Sequence, residues 1–175
     1  MDLTGARELA RGLLDEHGLH QWSLAFDSAK RRAGLCRYDT RTISLSRHLT
    51  ALYSADEVRE TVLHEIAHAL AGPKARHGPA WRQVAWEIGA TGHRCVAADA
   101  PTVPAPWVGM CPAGHRHERF RRPTRPMSCT RCRPGFSVDH LVHWRFHGRE
   151  VDLGARYHRE LADARARHRP PMLPL

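Results

Sequence analysis

The chain has 175 residues and a formal net charge of +9, which is enough length for one ordinary domain and a small second module. No apolar run approaches membrane-spanning length, and the first residues lack the apolar core of a signal peptide. We therefore expect a cytoplasmic protein with no membrane partner. Five cysteines are a small, odd number, which argues against a disulfide framework and favours metal binding.

The positive charge is concentrated in the C-terminal part of the chain. Residues 107–175 contain 14 Arg and Lys against 6 acidic residues, whereas residues 1–106 contain 13 against 12. A field of this sign attracts polyanions, above all nucleic acid, and would place the protein at the nucleoid. Codon usage explains the preference for Arg over Lys, but it does not explain the scarcity of acidic residues.

The first part of the chain predicts a helix followed by short strands. Apolar residues recur at helical spacing over residues 3–17, and Gly18 follows as a helix stop. Residues 22–26 alternate between apolar and polar, as a half-buried strand does. Two β-prone runs on either side of residues 39–40 predict a hairpin.

Two further helices are predicted by their start and stop signals. Ser54 and Glu57 form a capping-box pattern at the start of a helix that runs to Gly72. After a short loop, Pro79 suits the first turn of another helix, which ends near Gly89.

A change of composition separates the first part of the chain from the rest. We expect a domain over residues 1–100 and a proline-rich linker over 101–106. A cysteine-bearing module follows over 107–146. The basic extension, 147–175, includes a possible polar helix in YHRELADARARH and a disordered PPMLPL end.

The stretch HEIAHALAGPKARHGPAW begins at His64 and contains the motif HExxH. His64 and His68 lie about 40° apart around the predicted helix. The apolar residues of that helix cover the opposite half: Val58, Val62, Leu63, Ile66, Ala67 and Leu70. A zinc ion needs neutral imidazoles about one turn apart, a third protein ligand and a position for water. Glu65, on the flank, is the candidate general base.

The third ligand of such a zinc ion has two candidates. His77 ends the loop before the next helix, and eight intervening residues allow it to swing back. Glu87 lies 19 residues after His68, roughly where a glutamate ligand would come from the following helix. We favour His77 because Gly78 and Pro79 would fix its direction at a helix start.

HExxH followed by HGPxW, with a TRTISLSRHL strand before it, resembles the SprT-like zinc metalloproteases, which include the Spartan DNA–protein crosslink proteases. The resemblance covers about residues 20–145. It implies an α+β fold, a minimal zincin in which a small sheet packs on the HExxH helix, followed by a small zinc ribbon. It also implies that His64, His68 and His77 bind the catalytic zinc, that Glu65 is the general base, and that the strand Ile43 to Ser46 pairs with the protein substrate.

The C-terminal module contains the ligands of a second, structural zinc ion. Cys129 and Cys132 form a CxxC pair, and Cys111 lies 18 residues before it, which is the spacing of a zinc ribbon. Only three cysteines are present, so His115 is the expected fourth ligand and His117 the alternative. SprT-like proteins usually have a second cysteine here. The remaining cysteines, Cys36 and Cys95, are expected to be small buried residues.

Five arginines lie between the two halves of the ribbon with a single Glu118: Arg116, Arg119, Arg121, Arg122 and Arg125. They could bind DNA phosphates without reading sequence, or they could simply keep a loop soluble. Phe120, Trp107 and Trp144 could stack on bases, but in so small a module they more often form the core.

The sequence therefore predicts a zinc metallopeptidase that acts on DNA-associated or DNA-crosslinked proteins. The alternatives are a catalytically idle zinc-containing module that binds nucleic acid, and a peptidase that is indifferent to DNA.

Overall fold

The computed structural model describes residues 1–94 and 99–168. It divides the chain into two compact units, Met1–Val103 and Pro104–Leu175, called unit 1 and unit 2. Small separate sheets are combined with helices, which confirms the α+β class.

Helix α1 (Leu3–Glu16) opens unit 1. The Asp2 carboxylate accepts hydrogen bonds from the amides of Thr4 and Gly5 and so caps the helix. Gly18, with φ of 71°, lies just after its end, as predicted. The helix buries four residues, namely Ala6, Ala10, Leu13 and Leu14.

Three short strands form the sheet of unit 1: β1 (Ser23–Asp27), β2 (Gly34–Arg37) and β3 (Thr42–Ser46). The predicted hairpin is present, because β2 and β3 pair antiparallel. Strand β1 pairs with β3 in parallel, so the strand order is β1-β3-β2. The expectation that Ile43 to Ser46 pairs with substrate is wrong, since both edges of β3 are already hydrogen-bonded. Strands β1 and β2 are the two edge strands, and β2 is the one that lies next to the helix that carries HExxH.

A one-turn helix, α2 (Arg47–Thr50), leads to the long helix α3 (Ala55–Ala71). Ser54 and Glu57 form the predicted capping box. Most of the predicted apolar face is buried. Leu70 is the exception at 43% exposed, because the last turn of α3 is less covered than the turns before it.

Helix α4 (Pro79–Glu87) begins with proline in its first turn, as predicted. It packs on α3 through Trp81 and Ala85. The core of unit 1 joins α1, β3, α3 and α4, and its largest fully buried side chains are Trp81, Leu14, Ile43, Leu45, Leu63, Ile66, Val58 and Val62.

Unit 2 contains a second antiparallel sheet, formed by β4 (Trp107–Met110), β5 (Arg116–Arg119) and β6 (His143–Phe146) in the order β5-β4-β6. A 3-10 turn, Val138–His140, precedes β6. The small core consists of Trp107, Cys111, Cys129, Val142 and Trp144. The expectation that the aromatic residues form the core is confirmed for Trp107 and Trp144 but is wrong for Phe120, which is half-buried.

Helix α5 (Ala155–Arg167) ends the described part of unit 2 and corresponds to the polar helix predicted there. It buries Tyr157 and Ala164. Its Glu160 forms an ion pair of 3.2 Å with Arg125 of the loop after β5. The PPMLPL end lies outside the described residues.

Candidate metal centres

Three histidines of unit 1 meet at one point. His64 and His68 lie one turn apart on α3, and His77 returns from the loop between α3 and α4. Gly72 ends α3 with φ of 80°, and Arg76 adopts φ of 48°, so the loop turns sharply enough to bring His77 back. The structure thus brings together the three histidines that the sequence pointed to.

The distances between the three rings fit a metal ion. The Nε2 atom of His77 lies 3.1 Å from Nε2 of His64 and 3.1 Å from Nε2 of His68. Tetrahedral ligands with Zn–N bonds of 2.0–2.1 Å would be about 3.3 Å apart. Hydrogen bonds alone satisfy such a group poorly, since each shared contact needs a proton on one nitrogen. A cation that is coordinated by all three lone pairs satisfies the three nitrogens fully.

The electrostatics also favour the neutral rings that bind metal. Burial, together with neighbouring histidines, lowers the pKa of both His64 and His68 to about 4. Burial and the Arg94 guanidinium lower the pKa of His77. At neutral pH the imidazoles are therefore unprotonated and their lone pairs are available.

Trp81 packs against the three histidine rings from one side. Its ring centroid lies 4.7 Å from His64, 5.3 Å from His68 and 4.8 Å from His77. The side chain is 1% exposed, so this wall is fixed by the core of unit 1. The tryptophan of HGPxW is thus a packing partner of all three candidate ligands.

Glu65 points into unit 1 rather than along the flank of the helix, and it is 7% exposed. Burial raises its pKa to about 7, although the Arg32 charge and a hydrogen bond from the Cys36 backbone act in the opposite direction. Gly34 of β2 is packed against it, because a Cβ there would lie 2.7 Å from the glutamate side chain. The carboxyl group is therefore poised to gain or lose a proton near neutral pH.

A cavity of about 610 Å³ opens beside His64 and Glu65. Its lining combines small residues such as Ala33 and Gly34 with many polar and charged side chains, among them Glu60 and Arg94. A peptide side chain could enter it.

The alternative ligand Glu87 lies outside this cluster. It is exposed on α4, and its carboxylate accepts a hydrogen bond of 2.8 Å from Gln83. Among the described residues, the three histidines form the cluster without a carboxylate ligand.

Unit 2 contains a second cluster, formed by Cys111, His115, Cys129 and Cys132. The Sγ atoms of Cys111 and Cys132 are 3.6 Å apart. The Nδ1 atom of His115 lies 3.6, 3.4 and 3.2 Å from the sulfurs of Cys111, Cys129 and Cys132. Tetrahedral zinc with Zn–S bonds of 2.3 Å would separate two sulfurs by about 3.8 Å, so this donor set also fits.

The thiols of this second cluster influence one another. Hydrogen bonds from the backbone at His115 lower the pKa of Cys111 against the opposing effect of burial. Burial and the neighbouring sulfurs raise the pKa of Cys132 to about 12. All three sulfurs can ionise together only if a cation neutralises them.

His117, the alternative to His115, is not part of the cluster. It lies on β5 opposite Gly109 of β4, and its Nε2 atom is buried without a hydrogen-bond partner. Its ring is therefore not among the donors that the structure brings together in this cluster.

A model of the SprT-like family matches residues 7–101, which are 95 of the 175 residues. The chain belongs to the SprT-like family. The match contains the histidine cluster and Glu65 and starts before the resemblance seen in the sequence, but it does not reach the cysteine cluster. No curated protein matches the chain.

The SprT-like family is associated with metallopeptidase-like function, and both clusters of this chain are candidate metal sites. Among the described residues, no helix is both long enough and apolar enough to cross a membrane.

The five arginines of the ribbon are all exposed. Arg116 and Arg119 lie on β5, and the other three lie in the loop that follows it. The Arg119 guanidinium carbon is 6.0 Å from the centre of a Trp144 ring.

More acidic groups lie near these arginines than the linear sequence suggests. Arg116 pairs with Glu118 at 2.7 Å, and Arg125 pairs with Glu160 of α5 at 3.2 Å. Arg122 donates a hydrogen bond to the backbone carbonyl of Asp152. Glu118 is therefore not their only acidic neighbour, because α5 brings a second one.

Cys36 is half-buried rather than buried, because β2 is an edge strand. Burial, and then the charge of Glu65, raise its pKa to about 12, so the thiol is a poor nucleophile. Cys95 lies outside the described residues.

Sequence reasoning missed several residues of the histidine site. Gly34 contacts Glu65, and Thr91 and Arg94 border the same cavity. No motif marks them, since they come from segments far from HExxH in the chain. The tryptophan in HGPxW was the one available signal for the aromatic wall.

Proposed function

We propose that this SprT-like protein is a zinc metalloendopeptidase that hydrolyses peptide bonds in DNA-associated or DNA-crosslinked proteins. His64, His68 and His77 would hold the catalytic ion of a minimal zincin. The observation that carries the proposal is the convergence of three neutral imidazole nitrogens next to a buried glutamate whose pKa is about 7.

Zinc at this position would polarise a substrate carbonyl and lower the pKa of a water molecule. Glu65 would accept a proton from that water and then donate it to the leaving amine. Gly34 leaves space for its side chain, and the Cys36 backbone donates a hydrogen bond to its carboxylate, so β2 fixes the position of Glu65.

Strand β2 is the proposed docking edge for the substrate backbone. It lies at the edge of the sheet and directly beside Glu65, so an extended peptide added to it would pass the histidine cluster. The neighbouring cavity would receive a substrate side chain.

The second ion would be structural, bound by Cys111, His115, Cys129 and Cys132 in a closed ribbon site. DNA would bind to unit 2, where the proposed phosphate contacts are Arg116, Arg119, Arg121, Arg122 and Arg125. Their exposure and the excess of arginine after residue 106 support this assignment.

The proposal is tested with purified full-length protein, a basic DNA-binding protein as substrate, and single-stranded DNA. We expect cleavage that is stimulated by DNA, and we expect Glu65→Gln to abolish it while both zinc ions are retained. Undiminished cleavage by Glu65→Gln would contradict the catalytic assignment. No cleavage by the wild-type protein at any DNA concentration would favour an idle zinc-containing module.

The DNA part of the proposal has its own test. Affinity for DNA should fall steeply with added salt, and replacing Arg121 and Arg122 by Gln should reduce the slope of log K against log salt by about 1 to 2. Arg59 and Arg82, exposed in unit 1, provide the matched control pair. An unchanged slope in the Arg121 and Arg122 variant would remove these contacts from the proposal.

A further inference from the structure

The segment Thr91–Arg94, called the strap, follows α4 and passes beside the histidine cluster. It is anchored at Thr91, whose amide donates a hydrogen bond of 3.0 Å to the Glu60 carboxylate on α3. The Thr91 hydroxyl donates to the same carboxylate. From the other side, the Trp86 indole N–H of α4 donates to the Thr91 carbonyl at 3.2 Å. Side chains of α3 and α4 therefore form hydrogen bonds with the amide, the hydroxyl and the carbonyl of Thr91.

Gly92 shows that the strap is closely fitted to α4. Its φ is 72°, a conformation that side chains rarely adopt. A Cβ at this position would also lie 2.5 Å from Nε1 of Trp86. The bend that directs the strap past the cluster thus requires glycine.

The strap reaches the candidate ligands through its last two residues. The amide of His93 donates to the Thr91 hydroxyl oxygen at 3.3 Å. His93 and His64 border the same cavity, where the His93 backbone is a hydrogen-bond partner of the His64 ring. Arg94 lies close enough to His77 to influence its charge. The Nε2 atom of His64 faces the cluster, which leaves its other ring nitrogen for the His93 backbone.

We propose that Glu60 and Thr91 are positioning residues of the histidine site: they hold the strap so that the His93 backbone fixes the orientation of the His64 ring. Metal-binding histidines depend on such a partner at their second nitrogen, which sets the tautomer and the direction of the lone pair. The inference rests on the proposed function, because it assumes that His64 binds zinc.

The experiment measures the zinc affinity of each cluster in the full-length protein by competition with a chelator. Glu60→Ala and Thr91→Val should weaken binding at the histidine cluster by about 10-fold or more, the usual effect of losing such a partner. Thr91→Ser keeps the hydroxyl and should restore wild-type affinity. The cysteine cluster of the same molecule is the internal reference, and its affinity should not change.

Glu87→Ala is the matched control. It also removes a glutamate carboxylate that accepts a hydrogen bond, but its partner is Gln83 of α4 rather than a residue of the strap. We expect wild-type affinity in this variant. Wild-type affinity in Glu60→Ala and Thr91→Val as well would overturn the inference and leave the proposed function intact. A wild-type protein that binds no zinc at the histidine cluster would instead overturn the proposed function.

Discussion

The two metal clusters differ in their relation to the hydrophobic core of their own unit. In unit 1, the three histidines pack against the core through Trp81, but residues of α1, β3, α3 and α4 form that core without them. In unit 2, Cys111 and Cys129 are themselves members of the small core. A cluster beside a complete core can lose its ion without unfolding the unit, whereas a cluster that forms the core cannot.

The two clusters also differ in the chemistry that they permit. The three histidines are half-buried, and His64 borders a cavity of about 610 Å³. Cys129 is fully buried, and the four donors of the cysteine cluster would complete the coordination shell of a tetrahedral ion. An open site suits catalysis, and a closed site suits structure.

The largest expected effect comes from Cys129→Ser. Zinc binding supplies on the order of 10 kcal/mol to the folding of modules of this size, so unit 2 should unfold while unit 1 stays folded. Two-dimensional NMR of the full chain would show the loss of the Trp107 and Trp144 indole signals. The contrasting variant, His68→Ala, should lose one zinc ion and leave both units folded. Unfolding of unit 1 in His68→Ala would contradict the inference that unit 1 stays folded without its ion.

A core residue that also touches a cluster should give the next largest effect. Trp81→Ala removes a fully buried side chain and the wall behind the three histidines, and it should destabilise unit 1 by about 3–5 kcal/mol. Urea unfolding of metal-free protein measures this change. Leu52→Ala is the control, because Leu52 is 45% exposed and its loss should cost less than about 0.5 kcal/mol. Equal costs in the two variants would contradict the assigned packing.

The pH dependence of metal-free unit 1 tests the burial of Glu65. Burial raises its pKa from 4.5 to about 7, so between these pH values the unfolded chain releases a proton that the folded unit keeps. The free energy of unfolding should therefore fall as pH rises through this window, by about 3 kcal/mol in total. Glu65→Gln should lack this fall.

The neighbouring histidines act in the opposite direction. The pKa values of His64 and His68 are lowered from 6.5 to about 4, so their contribution to stability rises with pH over that range. They are present in both proteins, and the difference between wild type and Glu65→Gln isolates the glutamate. Parallel stability curves for the two proteins would show that Glu65 is not buried in this way.

The smallest expected effect concerns the start of the helix that carries HExxH. Ser54→Ala removes one half of the capping box and should cost about 1 kcal/mol of unit 1 stability, measured by thermal unfolding. Ser28→Ala, at an exposed position after β1, should leave the melting temperature unchanged. An equal shift in both variants would mean that the capping box contributes nothing.

The sequence was a good guide wherever the signal is local. The capping box at Ser54, the glycine after α1 and the proline at the start of α4 each mark a helix end through a bond or dihedral angle within a few residues. The ribbon spacing likewise led to His115, because a knuckle is a local turn around its donors.

Contacts between distant segments could not be derived from these signals. The parallel pairing of β1 with β3 depends on how the chain crosses over. This pairing places β3 in the middle of the sheet and leaves β2 at an edge. The burial of Glu65 depends on Gly34 from that strand, and the ion pair of Arg125 with Glu160 depends on α5. Neither partner lies within helical or hairpin range of the residue it contacts.

The bare backbone at Gly34 has a consequence for recognising inactive relatives of this protein. Even a methyl group there would meet the Glu65 side chain at 2.7 Å and push the carboxylate from its place. Under the proposed mechanism, a chain could therefore keep every histidine and the glutamate and still be unable to transfer the proton. Searching genomes for HExxH alone would count such chains as working peptidases, and the residue to inspect is a glycine thirty positions upstream.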